Sequence, residues 1–112
     1  MIKEILAAAG VNHRRSRFPS PPDGTYAVWF DDIEADGADP VSPPTTGGLP
    51  KIYTHNARVE LYEATPDDET ETAIEAELDA RGLLWTKEDR YWIQQEQRYQ
   101  VIYEFSYTIK TK

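Results

Sequence analysis

Cysteine is absent from this 112-residue chain, so neither a disulfide framework nor a thiolate metal site can form. Basic residues are scarce: 12 Lys and Arg stand against 20 Asp and Glu, a formal net charge of −8. That deficit excludes non-specific binding to DNA or anionic membranes, which needs clustered cations to neutralise phosphates. No apolar run reaches the roughly 18 residues of a membrane-spanning helix. Residues 1–10 carry one Lys, a Glu at position 4 and a short Ala-rich stretch, unlike a secretory signal, and the chain reads as cytosolic. Histidine is nearly missing too. His13 and His55 lie in different segments without H-x-x-x-H spacing, and each reads as a loop or sheet-edge residue. None of Ser16, Ser20, Ser42 and Ser106 sits in a nucleophile elbow, and Gly47 and Gly48 lack the Lys-Ser/Thr pair of a phosphate loop. Neither an enzyme nor a cofactor is expected.

What is present is a folded composition, with 39% apolar and 12% aromatic residues, suited to one domain over 1–112. Ile2, Ile5, Leu6 and Ala9 recur at helical spacing, and Gly10 is placed to end that helix. His13, Arg14, Arg15, Ser16 and Arg17 form the one basic cluster. With the Pro-rich stretch and the Asp23-Gly24 turn that follow, they read as a connection. Residues 25–30 predict a strand. A long Pro/Gly-rich loop is expected at about 31–51, because no apolar period survives there. Asp32, Glu34, Asp36 and Gly37 mimic the start of a calcium loop, but Pro43 stands where the closing Glu belongs, so no metal site is assigned.

From 52 to 63 Ala57, Val59 and Leu61 alternate with Arg58, Glu60 and Tyr62, as a half-buried strand requires. Thr65 and Pro66 then look like the cap and first residue of a second helix. Its apolar side would be Ala73, Ile74, Ala76, Leu78 and Ala80, and its stop Arg81-Gly82. Another strand begins at 83–86; residues 89–97 read either as a strand holding Tyr91 to Ile93 with a turn at 94–97, which is the favoured reading, or as a short helical excursion. The last strand sets Tyr99, Val101, Tyr103, Phe105, Tyr107 and Ile109 on one face. The expected fold is α+β: a four-stranded, mainly antiparallel sheet with two helices on one face, in the order α-β-β-α-β-β. Its other face would meet water or a partner.

The charge is localised. Residues 31–39 hold five acids and no base, residues 67–79 hold seven acids and no base, and the other 90 residues carry a net +4. Like charges at helical spacing, such as Glu71 with Glu75, destabilise by a few tenths of a kcal/mol, so a one-signed helix suggests a facing surface of opposite sign. The candidate interface residues are therefore Arg14, Arg15 and Arg17 on one side. On the other are Asp31, Asp32, Glu34 and Asp36, with Asp68, Glu71 and Glu75.

Residues 75–82 (EAELDARG), 88–93 (EDRYWI) and 99–105 (YQVIYEF), with 25–32 (TYAVWFDD), resemble small prophage proteins encoded among head–tail and tail genes of long-tailed phages. Element order and length resemble the tail-terminator, or tail-completion, family. That resemblance implies a structural protein of the virion tail or neck, assembled in the host cytoplasm. It further implies a ring of its own copies, hexameric in that family, contacting tail-tube and head-completion proteins, with at most passive contact with DNA in the channel. Capsid-joining and minor tail proteins are of similar size. A reading of another class is a monomeric acidic module that presents carboxylates in the manner of DNA phosphates.

Overall fold

The computed structural model describes residues 1–36 and 51–111. Helix α1 spans Ile2–Ala8 and buries Ile2, Ile5 and Leu6 along one stripe. It stops because Gly10 takes φ 75°, a conformation that L side chains rarely adopt. There Gly10 N–H donates to Ala7 O at 3.0 Å and Val11 N–H to Leu6 O at 3.1 Å, the paired bonds of a Schellman cap. Burial of Val11 then anchors the exit from the helix.

The chain next forms a strand that the sequence had concealed. β1, Asn12–Arg15, pairs in parallel with β2, Tyr26–Asp36, with Arg14 opposite Val28 and Arg15 opposite Trp29. β3 is Lys51–Glu63, α2 is Asp68–Ala80, β4 is Trp85–Ile93 and β5 is Arg98–Thr111. The sheet order is β1-β2-β3-β5-β4, with every pair but the first antiparallel. This corrects the expected four-stranded sheet and the order α-β-β-α-β-β: five strands form a mixed sheet, in the order α-β-β-β-α-β-β. A basic edge strand has no buried face and therefore no apolar alternation to betray it; charges on an edge also protect it from unwanted pairing.

The expected loop begins late for a related reason. Residues 31–36 continue β2 and pair with β3 from Asp31–Ala57 to Asp36–Ile52, so their extended backbone forms no calcium loop. In this part of the hairpin hydrophobic period does not mark the strand. The described residues measure 55 × 29 × 21 Å. The rest of the Pro/Gly-rich segment, 37–50, lies outside the described residues.

The second helix starts two residues later than Thr65 would set it. Asp67 is the N-cap, accepting from Thr70 N at 3.1 Å and Thr70 Oγ1 at 2.8 Å. The oxygen that takes the Thr70 hydroxyl, Oδ2, also accepts from Thr25 Oγ1 at 2.7 Å, tying the head of α2 to the residue just before β2. Those hydrogen bonds, led by that from Thr25, hold the Asp67 carboxyl below the usual range. Asp67→Ala is expected to cost about 1–2 kcal/mol at pH 7. Because the folded carboxyl is depressed, that difference is present above the ordinary Asp range and shrinks as pH falls through the folded value, as urea unfolding at acid and neutral pH would show.

One core forms between the helices and the sheet. Ile2, Ile5, Leu6, Ile74 and Leu78 pack on Ala27, Ala57, Val59, Leu61, Val101, Tyr103 and Phe105. Ala76 and Ala80 are exposed, and Glu71 takes their expected place on the buried stripe of α2 with Ile74 and Leu78. The opposite sheet face is not left wholly to solvent either. Phe18 meets Tyr26 edge-on at 5.4 Å and Tyr26 stacks on Tyr62 at 5.1 Å, so the 16–25 connection folds over that face near buried Val28 and Ile102. Arg98 fastens the connection through Gly24 O at 3.4 Å and Pro22 O at 3.5 Å.

Candidate interaction surfaces

The sheet has two outer strands of different character. β1 presents Arg14 and Arg15, followed by Arg17, all exposed. The Arg15 guanidinium lies 5.3 Å from the centre of the Trp29 ring, a cation–π contact that orients it along the edge. None of the three arginines has an ion pair among the described residues. They form a cationic edge without a counter-charge among the described residues.

The acidic candidates divide into two groups with different fates. Asp31 turns inward and accepts from His55 Nδ1 at 3.0 Å and from the Tyr107 hydroxyl at 3.2 Å, while the His55 and Tyr107 rings stack at 4.6 Å. His55 is thus a buried residue of the central strand β3, and the loop or edge placement expected for it is corrected; His13 does lie in an edge strand. Asp32 is exposed, and register sets Glu34 opposite Thr54 and Asp36 opposite Ile52. β1 ends opposite Trp29, so it covers only the first part of β2 and the acidic part continues past it.

Asp68, Glu71 and Glu75 sit at the other end of the strand order, against β4. Lys87 binds Glu71 at 2.8 Å and Glu75 at 2.6 Å. Arg90 reaches Asp68 at 2.6 Å, Glu63 at 3.0 Å and Glu71. The positive surface that the one-signed helix calls for is supplied from within the chain. Lys87 shares the helix-covered face with Trp85 by strand alternation, which was the available signal. Arg90 reaches the same face after a register shift between Glu88 and Tyr91, which alternation does not foresee.

Burial acts unequally on this cluster. Glu63 is fully buried, and loss of solvation, with Glu71 beside it, pushes its carboxyl up to about 7 against the pull of Arg90. Glu71 is also disfavoured by burial, but its interaction with Glu63 and the hydrogen bonds from Lys87 and Arg90 hold it below the ordinary range. Lys87 is raised by Glu71 and Glu75 despite its own loss of solvation. The acids left free on α2 are the outward ones, such as Glu69, and on β4 Glu88 and Asp89 are exposed. Exposed Leu84, Tyr91 and Trp92 lie in or beside β4.

The two rims thus differ in sign: β1 is cationic and without an ion pair among the described residues, whereas the α2–β4 rim carries excess carboxylates and exposed aromatic rings. No family model and no curated protein matches the chain. A solved structure described as the virion of a native gene transfer agent particle contains a chain with a similar fold. The two align with a TM-score of 0.58 and 16% identity, over 95% of this chain and 84% of that one. At this identity the likeness is one of fold.

Proposed function

We propose that this protein is a structural component of a phage-type virion, a tail-terminator or minor tail protein that assembles as a ring at the tail end and joins it to the head. The observation that carries the reading is the fold shared with a virion chain over 95% of this sequence. Opposite signs on the β1 edge and the α2–β4 rim support head-to-tail assembly, because a heterologous contact that repeats and closes needs two different, complementary surfaces. In this reading Arg14, Arg15 and Arg17 of one copy face carboxylates of the next, the outward acids of α2 or the run Asp31, Asp32, Glu34 and Asp36. Glu71 and Glu75 contribute to the field of that rim while bonded to Lys87. Partners would be further copies, tail-tube and head-completion proteins, within the virion. The internal pairing of α2 gives less support to a monomeric acidic mimic, which needs its carboxylates free.

Native mass spectrometry of the wild type and of an Arg14/Arg15/Arg17→Glu variant tests this. At low ionic strength the wild type is expected to populate a closed oligomer and the variant to lose it by at least about tenfold, a single buried charge reversal being enough for that. Raising salt toward 1 M, where the Debye length falls to about 3 Å, is expected to weaken the wild-type oligomer as well. An oligomer population unchanged by the triple reversal sinks the interface, and a wild type that stays monomeric at micromolar concentration favours the acidic module.

A further inference from the structure

Glu63 is the one fully buried carboxyl among the described residues, and the assembly reading makes no use of it. It projects from the last residue of β3 toward the helix-covered face, opposite Tyr99 of β5. Its Oε1 accepts from Arg90 Nε at 3.0 Å, while its Oε2 is buried with no hydrogen-bond partner. Across from it stands Glu71 of α2, only 5% exposed and already bonded to Lys87 and Arg90 of β4. The other charged groups facing the pair are Asp68 and Glu75 of α2, and from β5 the Tyr103 hydroxyl donates to Glu75 at 2.7 Å. Two buried carboxyls, Glu63 and Glu71, therefore share two cations under the helix, with Glu75 partly buried beside them and Asp68 at the exposed rim.

Two adjacent buried carboxylates cannot both ionise cheaply, and an orphaned buried oxygen is costly. A single proton on Glu63 Oε2 removes both costs: it gives that atom a donor role and turns repulsion from Glu71 into a hydrogen bond. We propose that the folded chain holds one proton between the Glu63 and Glu71 carboxyls, and that this proton latches α2 onto β3 and β4, making the docking of the helix pH-dependent. Glu63 is the protonated member, since Glu71 accepts from both cations and is the better site for the negative charge. The carboxyl at about 7 noted above fits this assignment.

The sign follows from linkage. A carboxyl raised in the folded state binds its proton more tightly there than in the unfolded chain. Its stabilising contribution is complete below the ordinary Glu range and lost as pH rises toward the folded value. Between pH 6 and 8 the folded-to-unfolded ratio is expected to fall about tenfold from this group alone. The informative quantity is the difference between wild type and Glu63→Gln, in which every other titrating group cancels. The amide retains a donor for Glu71 and an acceptor for Arg90 but has no proton to lose.

Two measurements on the full chain decide the matter. In a carbon-13 NMR titration the Glu63 δ-carbon is expected to change near neutral pH. The Trp85 indole N–H, which donates to Asp79 of α2 at 2.8 Å, should report the same midpoint. In urea, the wild-type loss between pH 6 and 8 is expected to exceed that of Glu63→Gln by about tenfold in the folding equilibrium. A Glu63 midpoint in the ordinary carboxylate range near 4.5 overturns the proposal, as does a Gln variant with the full wild-type pH dependence. Should the variant not fold, the wild-type titration decides alone.

Discussion

Arg90→Ala is expected to lower the unfolding free energy at pH 8 by about 3 kcal/mol, a large fraction of what a domain of this size possesses. The guanidinium is the common partner of Asp68, Glu63 and Glu71. Truncation leaves a carboxyl at 0% side-chain exposure and another at 7% facing each other without their shared cation. Penalties for such orphaned charges run to about 3–5 kcal/mol, and the lower end applies because the Arg90 side chain is itself 28% exposed and water can reach part of its vacated place. The loss should be smaller at pH 6, where protonation of Glu63 removes one uncompensated charge. Arg90→Lys is expected to restore only part of the stability, since an ammonium cannot span three carboxylates as a planar fork does. Urea midpoints at the two pH values provide the check. A loss below about 1 kcal/mol at pH 8 would mean these contacts behave as ordinary surface pairs.

Leu78→Ala is expected to cost about 2–5 kcal/mol, through lost burial and the cavity left under α2. Leu78 is fully buried, and it also stands where the helix ends: Leu83 N–H donates to Leu78 O at 3.1 Å and Gly82 N–H to Asp79 O at 2.9 Å. With Gly82 at φ 68° this is the same Schellman arrangement that closes α1. Truncating the side chain removes the weight that seats the helix while leaving its cap intact. The melting temperature should fall by roughly 10–20 °C. Ala76→Ser, on the exposed side of the same helix, is the control and should stay within about 0.5 kcal/mol of wild type. Equal effects at both positions would contradict the assigned face.

Elements with one clear buried face were legible before any coordinates. Ile2, Ile5 and Leu6 marked α1, Ala57, Val59 and Leu61 marked β3, and Tyr99 to Tyr107 marked β5, since each alternation follows the face it buries. The turn at 94–97 was also readable, with Gln97 taking φ 53°. β1 and the outer part of β2 were not, because neither owes its place to apolar periodicity. Both are held by backbone pairing to a neighbour, which leaves little trace in side-chain pattern. The cap at Asp67 is not legible for a different reason: Thr65, Asp67 and Asp68 are all competent caps, and the hydroxyl of Thr25, far away in sequence, helps select one.

The candidate surfaces divide along the same line. Composition and order alone established a cysteine-free acidic chain, one basic cluster and two acid-only segments, because charge is a property of residues one at a time. Which charges remain free is a property of pairs, and the pairs here join residues far apart in the chain. Lys87 and Arg90 reach the acidic helix only because β4 lies under it, so Glu71 and Glu75 are paired within the chain while Arg14, Arg15 and Arg17 have no ion pair among the described residues. Burial of Glu63 and its contact with Glu71 likewise required β3 and α2 to meet. Coulomb energy and desolvation depend on distance and surroundings, and only the tertiary structure supplies either.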